Sequence, residues 1–156
     1  MAKQHATPFY CFDGEELERN IEEYVRAFEK HLPSALHHYA IKSNYHPLVL
    51  QTVLRQNFGL DVSSGLELKM AIRQGAKRIV FSGPGKTVPE LELAVKYQSR
   101  VIVHLDSFNE LKKLASIAKL RNKKIQVGVR FFTTDHGTWN KFGIPLEELA
   151  TFWKEA

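Results

Sequence analysis

The sequence holds a single cysteine, Cys11, so no disulfide can form within the chain, and one lone thiol fits a reducing compartment. It has no run of about 18 apolar residues, which leaves nothing to span a membrane as a helix. Its first residues, Met1-Ala2-Lys3-Gln4-His5-Ala6, lack the apolar core of a secretory signal. A cytoplasmic protein without membrane contact is the expectation. No Pro/Gly/Ser-rich linker and no low-complexity tract divides the chain, so its 156 residues read as one unit.

Several site motifs are also missing one needed residue. Gly83-Pro84-Gly85-Lys86-Thr87 ends like a phosphate-binding loop, but that motif needs a glycine five positions before Gly85, where Val80 stands. Gly59 and Gly65 make no dinucleotide fingerprint, because no third glycine follows at the required spacing near Ala71. The histidines are His5, His31, His37, His38, His46, His104 and His136. None forms an i, i+4 pair on one helix with a carboxylate, so no metal site is expected, and surface or loop positions are expected for most. Adjacent His37 and His38 on one strand must point to opposite faces. The 22 basic residues are interspersed with 17 acidic ones, so a net charge of +5 and a pI near 9.3 make no nucleic-acid surface.

What is present is an ordinary globular composition, 44% hydrophobic and 25% charged, organised as a repeat of strand and helix. Short apolar, often β-branched runs at 37–41, 59–62, 78–81, 100–104 and 124–130 read as strands. Between them, 47–56, 65–74, 89–97 and 108–120 carry helical periodicity. Pro47 and Pro89 fall near helix starts, where a missing N–H costs little, and Ser107 suits an N-cap. A long helix at 14–31 precedes the first strand, with Leu17, Ile21, Tyr24, Val25 and Phe28 on one face. A closing helix is expected at 145–153, where Leu146, Leu149, Phe152 and Trp153 form an apolar face with little left to pack on.

Strands recurring every twenty-odd residues between helices imply an α/β fold with a parallel sheet and right-handed crossovers. Two architectures fit this alternation, a partial (β/α)8 TIM-type barrel of about five strands and an open doubly wound sandwich. A complete barrel takes about 250 residues, more than the 156 here. An open five-stranded piece would expose the edges of its first and fifth strands. Its inward residues, expected to include Ala40, Val62, Val80, Val103 and Val129 or their neighbours, would face an unfilled space.

One lysine stands out. In His38-Tyr39-Ala40-Ile41-Lys42-Ser43-Asn44, an apolar strand-like run stops on Lys42 and passes into a polar turn. At the C-terminal end of a barrel strand a lysine lies in the catalytic mouth, where it can serve as an amine nucleophile. Equally, a lysine closing any strand reaches for water. The string alone leaves both open.

Beyond Lys42 come Phe58-Gly59-Leu60-Asp61-Val62-Ser63-Ser64-Gly65-Leu66-Glu67-Leu68, then Arg78-Ile79-Val80-Phe81-Ser82-Gly83-Pro84-Gly85-Lys86-Thr87, then Lys141-Phe142-Gly143-Ile144. In this order and spacing the sequence resembles the fold-type III PLP-dependent decarboxylases, with diaminopimelate and ornithine decarboxylases as the nearest groups. The resemblance runs from Thr7 to about Leu149. It implies pyridoxal 5'-phosphate as cofactor and decarboxylation of a basic or diamino amino acid. It places Lys42 on the lysine that forms the internal aldimine. Asp61 matches an aspartate near that lysine, Glu67 a glutamate at the start of the next helix, and Arg130 an arginine near the cofactor ring. From the residues alone, Asp61 could as well cap a helix and Arg130 form a surface ion pair.

The same resemblance implies that residues 1–156 are the N-terminal part of a PLP-binding barrel domain in a homodimeric family. The family's phosphate loop, ring-stacking histidine and β-domain would then lie beyond Ala156. Two alternatives are a non-catalytic half-barrel or interaction module, and a racemase-like PLP protein. Against the racemase reading, Lys42 is followed by Ser43-Asn44-Tyr45-His46-Pro47, which departs from the racemase pattern. The polar run at 133–138, with His136, reads as an ordinary connector, or as a substrate-facing loop because it leaves the catalytic end.

Overall fold

The computed structural model describes residues 4–133 and 141–156. Helix α1 (Gly14–Glu29) is capped by Asp13, whose carboxylate accepts from Glu16 N at 3.0 Å. It ends two residues before the predicted stop and presents Ile21 to the core. Its Tyr24 and Phe28 meet His37 edge-on, with ring centroids 5.2 and 5.1 Å apart, and His37 stacks on Phe58 at 5.3 Å. That aromatic cluster fastens α1 to the first strand.

Five strands follow, β1 (His38–Ala40), β2 (Gly59–Val62), β3 (Ile79–Phe81), β4 (Val101–Leu105) and β5 (Gln126–Val129). Helices α2 (Pro47–Arg55), α3 (Gly65–Arg73), α4 (Val88–Lys96) and α5 (Phe108–Leu120) alternate with them. All pairings are parallel and the spatial order equals the chain order, β1-β2-β3-β4-β5. A doubly wound sheet needs a reversal of order at a switch point, and there is none in this sheet. The fold is therefore a five-stranded part of a (β/α)8 barrel, and the sandwich alternative falls.

Register assigns the two faces of the sheet. Leu60, Val62, Ile79, Phe81, Val101, Val103 and Leu105 are buried against the helices, joined by Leu68, Leu91, Leu111 and Leu114. Ala40, Asp61, Val80, Ile102 and Gln126 lie side by side on the opposite, inward face. Of the five residues named for the inward row two lie there, and neighbours of the other three take their places. Ala40 and Val80 face inward, but Val62, Val103 and Val129 belong with the helix-facing set. A period of two with the wrong phase exchanges the faces, and apolar content alone does not fix the phase when the helix-covered side is the more apolar.

Beyond β5, a short parallel pair joins β6 (Phe131–Phe132) to β7 (Ile144–Pro145). The connector at 134–138, including His136, lies outside the described residues. Gly143 has φ +90°, and a Cβ there would meet the Arg130 carbonyl at 2.7 Å, so only glycine brings Ile144 N to within 3.0 Å of Arg130 O. The predicted closing helix begins late, as α6 (Leu149–Glu155) after a 3-10 turn at Leu146–Glu148. Its Phe152 is buried and meets Phe108 edge-on at 5.0 Å, so this face does find a partner in α5, while Trp153 stays exposed.

Candidate functional site

At the C-terminal end of β1 the chain enters a 3-10 turn, Ile41–Ser43. Ile41 is fully buried and pins the turn, which sends Lys42 out into an open cavity. The turn is held by Tyr39 Oη donating to Asn44 O at 3.3 Å and His46 N donating to Asn44 Oδ1 at 2.9 Å. His46 then caps α2 by accepting from Leu48 N through Nδ1, at 3.3 Å. A polar stretch after the strand is thus a built turn rather than a loose connector.

The cavity has a volume of about 520 Å³ and is lined by Lys42, Ser63, Ser82, Gly83, His104, Val129, Arg130, Phe131 and Phe142. Ser63, Ser82 and His104 continue the inward row two residues beyond Asp61, Val80 and Ile102. Counting by two from Asp61 reaches Ser63 in the sequence, whereas Ser82 and His104 join the row only through the register of β3 and β4. Strands β2 and β3 end in close contact here, since a Cβ on Gly83 would lie 1.9 Å from Ser63 O. Only glycine permits that approach.

Arg130 follows β5 directly. Its guanidinium lies 3.7 Å from Asp106 Oδ1 and 4.6 Å from the Phe142 ring centroid, which holds a half-exposed cation against the cavity wall. The surface ion pair considered for Arg130 and its place in the cavity are both present. Asp61 lies one layer below Lys42 on the same inward face, and its Oδ1 is buried with no hydrogen-bond partner. It does not cap α3; Ser64 does that, accepting from Glu67 N at 3.3 Å. Glu67 turns back the other way, its Oε2 accepting from Ser63 N at 2.6 Å. It completes the helix cap and is not among the lining residues.

Two histidines lie on the inward face rather than at the surface. His104 rests over Gly128, where a Cβ would come within 2.7 Å of the imidazole, and His38 rests over Gly59 in the same way. Burial lowers the His104 pKa below its ordinary 6.5, with Lys86 and Arg130 adding to that and Asp61 opposing it. Burial also lowers His38, again against the pull of Asp61. Both rings thus lie on the inward face near Asp61, whose Oδ1 has no hydrogen-bond partner. Among the described residues no group of three metal-binding side chains occurs, and no helix is long and apolar enough to cross a membrane.

A lysine at a strand end, a buried acceptor beneath it and an arginine across the cavity suit a carbonyl-bearing anionic cofactor. Residues 18–156 match the family described as pyridoxal-dependent decarboxylase, pyridoxal binding domain. The chain belongs to this family. Diaminopimelate decarboxylase of Bacteroides thetaiotaomicron is 32% identical over 92% of the chain, which corresponds to 40% of that protein. Among solved structures, Helicobacter pylori diaminopimelate decarboxylase complexed with L-lysine superposes with a TM-score of 0.82 at 29% identity. That match covers 97% of the chain and 41% of the enzyme. Paramecium bursaria Chlorella virus arginine decarboxylase bound to agmatine gives 0.71 at 26%, over 89% and 38%. The chain thus spans about 40% of the length of the decarboxylases it matches.

The described residues fit part of such a cofactor's needs. Lys42 supplies an exposed amine in the cavity, while Asp61 lies beneath the lining residues with one buried oxygen unpartnered.

Proposed function

We propose that the protein is a pyridoxal-phosphate-dependent decarboxylase of a basic or diamino amino acid, in which Lys42 is the covalent anchor of the cofactor. The observation that carries this reading is the emergence of Lys42 from the end of β1 into the cavity that Arg130 and His104 also line, above a buried carboxylate oxygen with no partner. When bound, the cofactor supplies an electron sink for the bond broken as CO2 leaves.

Each residue contributes through its own chemistry. Lys42 would hold the cofactor through its exposed Nζ, the amine such a group needs as its anchor. Asp61 sets a carboxylate on the inward face one layer below Lys42. Arg130, steadied by Asp106 and Phe142, offers a cation to an anionic group in the cavity. His104 adds an uncharged imidazole that can accept a hydrogen bond. Glu67 contributes at one remove, by fixing the Ser63 backbone in the cavity wall.

That one relative was solved with L-lysine and another with agmatine supports a substrate carrying a second amine or a guanidine. The segment 1–156 acts in this reading as one part of a PLP-binding barrel, within a homodimer in the cytoplasm. The test is CO2 release from diaminopimelate, lysine, ornithine and arginine by residues 1–156 joined to the remaining half-barrel and β-domain of a matched decarboxylase, residues 1–156 alone being expected inert. Release from one of the four is expected, with loss to background in Lys42→Ala. Racemisation without CO2 would favour the racemase-like alternative, and inertness with all four a non-catalytic module.

A further inference from the structure

Behind the cavity wall lies an ion pair that the proposed chemistry does not use. Lys86 and Glu110 are 2% and 3% exposed, and Lys86 Nζ lies 3.2 Å from Glu110 Oε2. Among the described residues every other salt bridge is partly exposed. Glu110 accepts three bonds that converge from separate places: from Lys86 N at 2.9 Å, from Lys86 Nζ, and from Asp106 N at 3.0 Å. The lysine also donates to His104 O at 2.5 Å and lies 5.1 Å from the centroid of the Phe81 ring.

Stability alone does not account for this pair. Removing two charges from water is costly, and well-packed apolar side chains of similar volume commonly serve a core as well or better. What the pair does achieve is geometric, because its bonds tie together Lys86 N, His104 O and Asp106 N, which lie on or next to the segments that line the cavity. Lys86 closes the loop that carries Ser82 and Gly83. The His104 carbonyl belongs to a residue whose ring lines the cavity. Asp106 holds Arg130. A second stitch runs parallel to it, since Glu90 of α4 accepts from Gly65 N at 2.6 Å and from Thr87 N at 2.8 Å, tying the start of α3 to the start of α4.

We propose that Lys86 and Glu110 are positioning residues, a buried clamp that fixes the β3–α4 loop, His104 and the Asp106–Arg130 pair relative to one another at the cavity. The proposal rests on the reading of that cavity as the cofactor site. The test compares the protein with the charge-free variant Lys86→Met/Glu110→Gln and the charge-conserving Lys86→Arg. The readouts are thermal unfolding, site-resolved amide hydrogen exchange without cofactor, and affinity for pyridoxal phosphate.

The clamp requires that the charge-free variant unfold cooperatively near the parent temperature. It also requires exchange at 82–87 and 104–107 to rise about tenfold or more, while β2 and β3 stay protected. Affinity for pyridoxal phosphate should fall about tenfold, and Lys86→Arg should recover part of both losses. Three results would overturn it: exchange rising uniformly across the sheet, no change at either loop, or failure of the charge-free variant to fold, which would assign the pair to stability. If the parent protein binds no pyridoxal phosphate the functional reading fails, and the clamp is still decided by the exchange pattern.

Discussion

At the scale of single residues, the clearest consequence of the site is its response to acid. His38 and His104 have native pKa values below the ordinary 6.5, chiefly through burial, so the unfolded chain binds more protons than the native one once the pH drops below that value. Stability is therefore present in full above about pH 7 and is lost as the pH falls through 6.5 toward the lowered values. Thermal midpoints measured from pH 8 to 5 should decline on the acid side, and the decline should flatten in His38→Asn/His104→Asn. Glu67→Ala removes the acceptor for Ser63 N and should cost about 1 kcal/mol in denaturant unfolding, as cap losses do. Lys42 stood out in the sequence by its place at the end of a strand-like run, whereas Asp61 and Arg130 stood out only through the family resemblance. Ser63, Ser82 and His104 did not, because a serine or histidine is unremarkable until the register shows that it continues the inward row.

Elements were more legible than faces. The repeat of β-branched runs and helical periods placed all five barrel strands and the helices between them, with ends shifted by a few residues. Faces were harder, because a strand apolar on both sides shows no contrast in a run such as Val101-Ile102-Val103. The glycines carry information that period-counting misses. Gly83→Ala would push a methyl into Ser63 O, which is backbone and cannot swing aside, so a cost of about 1–3 kcal/mol is expected in equilibrium unfolding. An alanine tolerated there without loss would mean that β2 and β3 do not meet as described.

For the molecule as a whole, sequential strand order with helices on one face decides for the barrel over the sandwich, and that order is a tertiary fact no local pattern contains. Within the described residues β1 and β5 each have one strand neighbour in the sheet, so two edges carry unpaired backbone groups. Tyr45, Leu48, Leu66, Leu120, Phe131 and Trp153 are exposed besides. The 156-residue chain prepared alone should self-associate and bind a hydrophobic dye. A monodisperse monomer in sedimentation, unfolding sharply and ignoring the dye, would count against open edges. The central claim, that this barrel segment presents Lys42 as the anchor for pyridoxal phosphate, is tested most directly by chemical trapping. The protein is incubated with pyridoxal phosphate, reduced with borohydride, digested and mapped by mass spectrometry. One pyridoxyl group on Lys42, absent from Lys42→Ala, is the expected result; label spread over exposed lysines such as Lys69 and Lys119, unchanged by the substitution, would contradict it.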